Sequence, residues 1–508
     1  MLPYGGLLLR ALLLILAIDQ GTTGTTALLI SERADVVGRG YAEVDQHYPR
    51  GGWVEHDPGQ IWRSVEHSVA EALASAPSED VTAIGVTNQR ETVIAWDAIT
   101  NDPLAPAIVW QDVRTSDRMH GLQMELHGEV LRSITGLLPS PYFSASKFEW
   151  LLTEDPDVVA AAKAGRLRLG TVDTWLVSKL SGGAHVTDAT NASRTLLFDL
   201  SSGGWSTDLL GLFGVPLTAL PELVPSSGAN VVSGADCPVG EGIPICGVAG
   251  DQQAALFGHL ATSTGDTKIT YGTGCFLLQH AGEKRPIDLP GLLTTVALGL
   301  SSGMNFAYEG SVFIGGAAVQ WLRDELSLVS SAGEIEGLAR SVTDAGGVVF
   351  VPAFTGLGAP HWDPGARGTI FGLTQATTGG HIARATLEAI AHQVQDVLEL
   401  MPAASRTLHV DGGAAANHLL LELQAEVCGQ RLSRPAELEV TALGAGYLAG
   451  IGSGVWADVS EIGELLGPSS IIEARDKAMS TNRVTWHRAI ERSLGWAVSK
   501  SSGEGILD

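Results

Sequence analysis

At 508 residues the chain is long enough for roughly two to four domains, each with its own core. Hydrophobic residues make up 45% and charged residues 17%, a composition typical of a globular protein and not of a disordered one. The net charge is −25, with only 31 lysines and arginines, which argues against a nucleic-acid or anionic-membrane partner because phosphate groups require a basic surface.

The cysteines and the first residues bear on the compartment. Four cysteines lie scattered without zinc-ligand spacing, which predicts reduced thiols and a cytoplasmic protein. The apolar stretch Leu7–Ile18 is interrupted by Arg10 and lacks a small-residue cleavage site. We therefore interpret Leu13–Ile18 as the first buried strand and the residues before about Ala11 as an extension. Elsewhere no run reaches the roughly 18 apolar residues of a membrane span, so none is predicted.

Short apolar runs alternate with helical patterns throughout the chain, which predicts an α/β fold. Leu13–Ile18 and Ala27–Ile30 flank a Gly/Thr turn and predict a β-hairpin. Thr82–Thr87 and Thr92–Trp96 flank a four-residue polar turn and predict a second hairpin. Between the two pairs, apolar residues at helical spacing predict a helix over Ile61–Leu73.

The second half repeats this order of elements. Two further hairpins and a helix are predicted there, at Lys268–Thr270 with Cys275–Leu278, at Leu293–Leu298 with Asn305–Glu309, and at Gly315–Glu325. Two similar cycles indicate a duplicated domain with a cleft between the halves and a boundary near residues 252–262. The segment Val186–Leu200, rich in Thr, Ser and Asn, is predicted to cross the cleft as an irregular stretch.

Three Gly-rich loops could each hold a phosphate. Asp19–Thr26 and Thr270–Gly274 each place glycines and threonines between two strands, where amides and hydroxyls can donate to phosphate oxygens. Val410–Asn417 follows a strand, Thr407–Val410, and precedes a predicted helix, His418–Cys428, an arrangement that lets a nucleotide lie against the backbone. Plain hairpin turns and close strand–helix packing explain the same residues equally well. A Walker A loop is excluded because the chain has no Gly-Lys dipeptide.

Two acidic motifs are candidates for chemistry. Asp251 follows the apolar segment Ile243–Val248, and an acid on a turn after a buried strand can accept a proton from a bound hydroxyl. A turn-capping aspartate is the structural alternative. Arg90 and Glu91 lie between two apolar strands and could hold vicinal hydroxyls, one residue donating and the other accepting. A surface ion pair is the alternative for that dipeptide.

Long runs of the sequence resemble the FGGY carbohydrate kinases of the actin/hexokinase-like superfamily, in particular the members that phosphorylate glycerol. The resemblance extends from about Ala17 to about Trp456, and the segments Tyr142–Trp150 and Gly356–Leu373 look like the two family signatures. Other matching runs are Gly52–Pro58, Thr87–Thr92, Gly170–Leu176, Val186–Phe198, Ala249–Gly258, Tyr271–Phe276, Val351–Pro360 and Thr441–Gly450.

The resemblance implies an architecture and a reaction. It implies two ribonuclease-H-like domains, residues 11–256 on the glycerol and phosphate side and residues 257–508 on the nucleotide side, with an ATP and substrate cleft between them. The implied reaction is phosphorylation of glycerol by ATP, with Mg²⁺, to sn-glycerol 3-phosphate in glycerol catabolism. Members of the family commonly form homodimers or homotetramers, so either assembly is an expectation here.

The resemblance also implies roles for individual residues. Asp251 matches the general base and Asp19 the acid on the metal side. The positions that match glycerol contacts are Arg90, Glu91, Trp110, Tyr142, Asp251, Gln252 and Phe276. The positions that match nucleotide contacts are Thr22, Thr23, Gly24, Thr26, Thr273, Gly316, Gln320, Gly413 and Asn417.

Three departures from the family pattern qualify these expectations. Relatives often have Arg at the position of Thr26 and Ser at that of Gly24, so this chain lacks a cation beside the phosphates. The loop Gly234–Gly242 has no arginine, and we expect no inhibition by fructose 1,6-bisphosphate, which binds an Arg-containing loop in some bacterial members.

Two other functions stay open at this point. A kinase for a pentulose or aldonate is one, although a longer sugar would clash with Trp110 and Phe276. A catalytically weak nucleotide-binding scaffold is the other, and it is opposed by the presence of Asp19 and Asp251.

Overall fold

The computed structural model describes residues 13–124, 127–402, 405–474 and 482–497. The predicted extension before residue 11 lies outside the described residues. Within these ranges every helix is too short or too polar to cross a membrane.

The described residues form 23 strands and 16 α-helices. The strands are β1 Leu14–Gln20, β2 Gly24–Ser31, β3 Val36–Glu43, β4 Glu55–His56, β5 Val81–Asn88, β6 Val93–Asp97, β7 Ala107–Ile108, β8 Leu167–Thr171, β9 Val186–Asp188, β10 Phe198–Asp199, β11 Gly204–Trp205, β12 Glu222–Val224, β13 Ser227–Val232, β14 Pro244–Gly250, β15 Thr267–Tyr271, β16 Cys275–Gly282, β17 Leu293–Leu300, β18 Gly303–Val312, β19 Val349–Val351, β20 Thr369–Phe371, β21 Thr407–Asp411, β22 Arg431–Arg434 and β23 Ser470–Ile472.

The helices are α1 Pro58–Ala72, α2 Ser116–Met124, α3 His127–Thr135, α4 Ala145–Glu154, α5 Pro156–Lys163, α6 Val172–Ser181, α7 Ala189–Ala192, α8 Thr207–Phe213, α9 Asp251–Gly258, α10 Gly316–Asp324, α11 Glu334–Arg340, α12 Gly379–Leu398, α13 His418–Cys428, α14 Val440–Ser453, α15 Val459–Leu465 and α16 Arg483–Ser493.

Two large sheets share one topology. The first has the strand order β13-β14-β5-β1-β2-β3 and the second the order β17-β18-β16-β15-β21-β22-β23. In the first sheet β1, β2 and β3 are antiparallel neighbours, and in the second β15, β16 and β18 are, with β17 at the edge beyond β18. On the other side of the first strand, two later strands continue each sheet in parallel, β5 then β14 in the first and β21 then β22 in the second. This common arrangement confirms the predicted α/β class, the duplication and the two ribonuclease-H-like domains.

The two Gly/Thr turns are hairpin turns, as predicted. β1 pairs with β2, and the backbone N–H of Gly21 donates to the carbonyl of Gly24 at 2.8 Å. β15 pairs with β16, and the N–H of Gly272 donates to the carbonyl of Gly274 at 2.9 Å. The two turns therefore occupy corresponding positions, each connecting the first two strands of its own sheet.

The predicted hairpin of Thr82–Thr87 with Thr92–Trp96 is wrong. β5 lies between β1 and β14 and is parallel to both, whereas β6 belongs to a separate four-stranded sheet with β4, β7 and β8. Between the two strands Glu91 adopts the left-handed conformation, with φ of 62°. The chain leaves the first sheet at that residue, because αL backbone turns it out of the strand direction.

The prediction of an irregular crossing at Val186–Leu200 is also wrong. The segment forms β9, the short helix α7 and β10, and its polar side chains point inward. Asp188 caps α7 by accepting bonds from the N–H groups of Thr190 and Asn191, both at 3.0 Å. The Thr, Ser and Asn residues that indicated a loop are satisfied within the protein instead.

Helix α14 returns late in the chain to the face of the first sheet. Its small residues allow close packing, since a Cβ atom on Gly444 would lie 1.8 Å from the carbonyl oxygen of Ala254 in α9. A Cβ on Gly85 of β5 would lie 2.2 Å from the carbonyl oxygen of Ala445. The first sheet therefore depends on residues from both ends of the chain, and the division between residues 256 and 257 stays a prediction.

Candidate active site

Asp251 is the first residue of helix α9 and not a turn residue, which corrects the sequence-based placement. It directly follows β14, the parallel strand beside β5, so it lies at the carboxyl end of that strand. Its carboxylate lies 3.1 Å from Nε of Arg90. A carboxylate in the first turn of a helix also faces the exposed N–H groups and the positive end of the helix dipole.

A buried network of charges lies behind Asp251 and joins the two domains. Arg90 forms a bidentate ion pair with Glu309 of β18, with both N–O distances 2.8 Å. Arg194 donates to Glu91 at 2.6 Å and lies 3.2 Å from Glu309. These four side chains are at most 2% exposed, whereas that of Asp251 is 28% exposed. Asp251 is thus the member of the network that reaches solvent.

The network is charged in spite of its burial. Burial alone would raise the pKa of Glu309, but the guanidinium groups of Arg194 and Arg90 lower it to about 2. Burial has the larger effect on Glu91 and raises its pKa, although both arginines oppose that shift. Glu309 therefore holds the two arginines together from the second domain.

Sequence reasoning identified Arg90, Glu91 and Asp251 but missed Arg194 and Glu309. Glu309 lies 219 residues from Arg90 in the chain, and the sequence does not reveal such a pairing. The position of Glu309 was a signal in the sequence. It ends a largely apolar predicted strand, and a glutamate buried there needs a partner of opposite charge.

Two aromatic residues lie together beside this network. The rings of Trp110 and Tyr142 meet edge to face with their centroids 5.7 Å apart. The indole N–H of Trp110 donates to Oγ1 of Thr22 at 2.9 Å, which links this wall to the first Gly/Thr turn. Phe276 lies in the other domain, half-buried on β16 in register with Thr270.

Asp19 lies near the end of β1, where the first Gly/Thr turn begins. It is half-buried, and burial together with the nearby carboxylates of Asp251 and Glu439 raises its pKa to about 8. Two carboxylates that repel each other beside this turn suit a divalent cation, which prefers oxygen ligands and neutralises their charge. The residues present therefore fit Mg²⁺ at this position.

The structure explains one departure in the first turn. A Cβ atom on Gly24 would lie 2.5 Å from the phenol oxygen of Tyr41 and 2.7 Å from the carbonyl of Ala42. A serine at position 24 would collide with Tyr41, so glycine is needed at that position while tyrosine occupies position 41. Thr26 pairs across the strands with Asp19 on one side and Tyr41 on the other, and Thr23 lies exposed in the turn.

The residues of the second domain that were predicted to contact the nucleotide line one cavity of about 490 Å³. Its lining includes Thr273, Gly316, Gln320, Gly413 and Asn417. The structure thus brings together residues from the second hairpin turn, α10 and the start of α13.

Local geometry explains two features of this cavity. Gly412 has φ of 87°, and a Cβ there would lie 2.5 Å from the backbone of Tyr271, so the position requires glycine. Asn417 caps α13, because its side-chain oxygen accepts from the N–H of Leu420 at 3.0 Å, and the same residue lines the cavity.

The fold and the site define a two-domain protein of the actin/hexokinase-like class, with an acidic pair on one domain and a cavity beside Gly-rich loops on the other. Models of the FGGY family of carbohydrate kinases match the chain, the N-terminal domain over residues 14–258 and the C-terminal domain over residues 267–453. The chain belongs to this family.

Individual relatives agree with that assignment. A glycerol kinase from Dechloromonas aromatica is 48% identical, covering 95% of this chain and 98% of its own. The crystal structure of Plasmodium falciparum glycerol kinase with ADP is similar with a TM-score of 0.87 and 33% identity, over 95% of this chain and 98% of that one. A xylulose kinase from Rhodospirillum rubrum, at 24% identity and a TM-score of 0.81 over 94% and 98% of the two chains, shares the fold.

We expect Glu309→Gln to lower the free energy of unfolding by about 3–5 kcal/mol, because it leaves Arg90 and Arg194 buried without their shared counter-charge. Urea denaturation measures the change. Asp324→Asn is the matched control, since it breaks the exposed Arg323–Asp324 pair and should leave the unfolding midpoint unchanged. Equal effects of the two substitutions would contradict the assigned role of the network.

We expect Asp19→Asn to change how stability depends on pH. The Asp19 carboxyl group keeps its proton up to about pH 8 in the folded protein but loses it near pH 4 in the unfolded chain. Wild-type Asp19 therefore contributes stability below pH 4 that is lost as the pH rises to about 8. Without Mg²⁺, the variant should therefore gain stability relative to wild type between pH 5 and pH 8.5, measured by urea denaturation. Binding of Mg·ADP should weaken by about tenfold or more. A pH-independent difference in stability would contradict this account.

Proposed function

We propose that this protein transfers the γ-phosphoryl group of ATP to glycerol and forms sn-glycerol 3-phosphate. The observation that carries the proposal is the position of Asp251, a partly exposed carboxylate held by Arg90 at 3.1 Å and close to the carboxylate of Asp19. The glycerol kinases similar to this chain over nearly their whole length support glycerol as the acceptor.

Asp251 acts as the general base in this proposal. A primary hydroxyl of glycerol donates its proton to the Asp251 carboxylate as its oxygen attacks the γ-phosphorus. Arg90 contacts that carboxylate and is itself fixed by its ion pair with Glu309. The base therefore does not have to reorganise during the reaction. The leaving ADP is retained by the cavity of the second domain.

Glycerol is recognised by polar groups that lie beside an apolar wall. Arg90 and Glu91 offer a donor and an acceptor to its hydroxyls, and Trp110 with Tyr142 covers its carbon chain. Selectivity follows because a missing hydroxyl would leave a buried polar group without a partner. Phe276, from the opposite domain, completes the pocket when the domains close and exclude water.

The phosphates are held by residues of the two Gly/Thr turns. The residues that hold them are Thr22, Thr23 and Gly24 of the first turn, with Thr26 on β2 and Thr273 of the second turn. Asp19 would hold Mg²⁺, which would supply charge neutralisation at the phosphoryl oxygens. Thr26 offers a hydroxyl in place of the guanidinium found in relatives, so this position contributes a hydrogen bond but no positive charge.

The proposal is tested by ADP release with Mg·ATP and each of glycerol, dihydroxyacetone, xylulose, gluconate or no acceptor. We expect release with glycerol far above that with the longer acceptors and with none. In the matched variant Asp251→Asn, turnover on glycerol should fall by about 10²–10⁴-fold while ADP still binds, since the variant keeps the size of the side chain but cannot accept the proton.

Two outcomes would contradict the proposal separately. Release with a sugar but not with glycerol would overturn the substrate. An Asp251→Asn variant that keeps half of the wild-type turnover would overturn the base and leave the substrate assignment in place.

A further inference from the structure

Lys268 on β15 is a buried charged group to which the proposed mechanism gives no role. Its side chain has no exposed surface, and its ammonium group donates to Oε1 of Gln252 and, at 2.8 Å, to Oγ1 of Thr270. Burial of an ammonium group is costly unless partners compensate for the lost solvent. The other fully buried lysine of the described residues, Lys147, differs because it donates to three backbone carbonyls near its own helix.

The bond from Lys268 crosses between the domains. Lys268 belongs to the first strand of the second sheet, whereas Gln252 follows Asp251 at the start of α9. Two more such contacts are made by α9 and the residue that follows it, from Gln253 to the carbonyl of Val296 at 3.1 Å and from His259 to Asp411 at 2.6 Å. Lys268 therefore links helix α9, which carries the proposed base, to the second domain.

Charges from several elements face the ammonium group. The carboxylates are Asp251 on α9, Asp411 on β21 and Glu309 on β18, and Arg90 opposes them. Burial lowers the pKa of Lys268 to about 8, and the carboxylates limit that decrease. His409 is the neighbour of Lys268 in register on β21. At neutral pH the group is a cation that is held between acids of both domains.

The bond determines which way the Gln252 carboxamide points. An ammonium group has donors only, so the oxygen of the carboxamide must face Lys268. The NH₂ group of Gln252 then points away from Lys268. The backbone N–H of Gln252 donates to the Asp251 carboxylate at 2.7 Å, so the backbone of Gln252 also holds the Asp251 side chain.

We propose that Lys268 is a positioning residue that holds Gln252 as a hydrogen-bond donor toward a hydroxyl oxygen of the acceptor. This inference rests on the proposed function, because it takes glycerol as the acceptor. It predicts a role in binding and not in the chemical step. A neutral amine at position 268 could also accept a bond, so the orientation of Gln252 is lost when the ammonium group loses its proton.

The first test needs no variant. At saturating Mg·ATP, the KM for glycerol of the wild-type enzyme should rise as the pH increases from 7 to 9.5, with the midpoint near pH 8. A KM that stays constant across this range would overturn the proposal.

The second test is a double-mutant cycle. Lys268→Met, which keeps length and volume but removes the donor, should raise the KM for glycerol by about tenfold, the worth of one hydrogen bond, with kcat within about threefold of wild type. Its KM should no longer depend on pH between 7 and 9.5. In a Gln252→Ala background the same substitution should have no further effect on KM, because Lys268 acts through Gln252.

The outcomes separate this inference from the proposed function. Additive effects of Lys268→Met and Gln252→Ala on KM would overturn the positioning role while glycerol phosphorylation by the wild type stands. Absence of glycerol phosphorylation by the folded wild-type enzyme would overturn the proposed function first. If Lys268→Met does not fold, the pH dependence of KM in the wild type decides.

Discussion

The bidentate ion pair between Arg90 and Glu309 is the interaction on which the site depends. Arg90 follows the parallel strand β5 of the first domain, and Glu309 lies on β18 of the second, so the pair is a buried contact between the two domains. Removing either charge would leave the other buried without compensation, which makes the contact costly to lose. The same guanidinium holds Asp251 at 3.1 Å, and thereby links domain association to the placement of the proposed base.

Around this pair the two domains contribute different functions. The first domain supplies Asp19, the Trp110–Tyr142 wall and the first Gly/Thr turn, and the second supplies the cavity beside Gly413. Helix α9 lies between them and bonds to the second sheet at both of its ends. A movement of one domain relative to the other would therefore be transmitted to Asp251 through α9, which fits an enzyme that must close over its substrates to exclude water.

Local patterns predicted the local structure well. The Gly/Thr turns at residues 21–24 and 272–274, the helix after the first meander and the strand–loop–helix around Gly413 all follow from residues close in sequence. Partners distant in sequence could not be predicted in this way. The apolar residues of β6 do not indicate which sheet the strand joins. Helix α14 packs on the first domain although it follows the second-domain strands in the chain. Arg194 and Lys268 were missed for the same reason, since a charged residue reveals a need for a partner but not its identity.

The central claim is that a hydroxyl held at Asp251 attacks the γ-phosphorus directly. The stereochemical course at phosphorus tests it most directly, with ATP whose γ-phosphoryl group is made chiral by oxygen isotopes, glycerol as the acceptor, and the configuration of the product determined by ³¹P NMR. One in-line transfer requires inversion of configuration, which is the result that the account predicts. Retention would require two successive transfers through a phosphorylated residue of the enzyme, and would contradict the role assigned to Asp251.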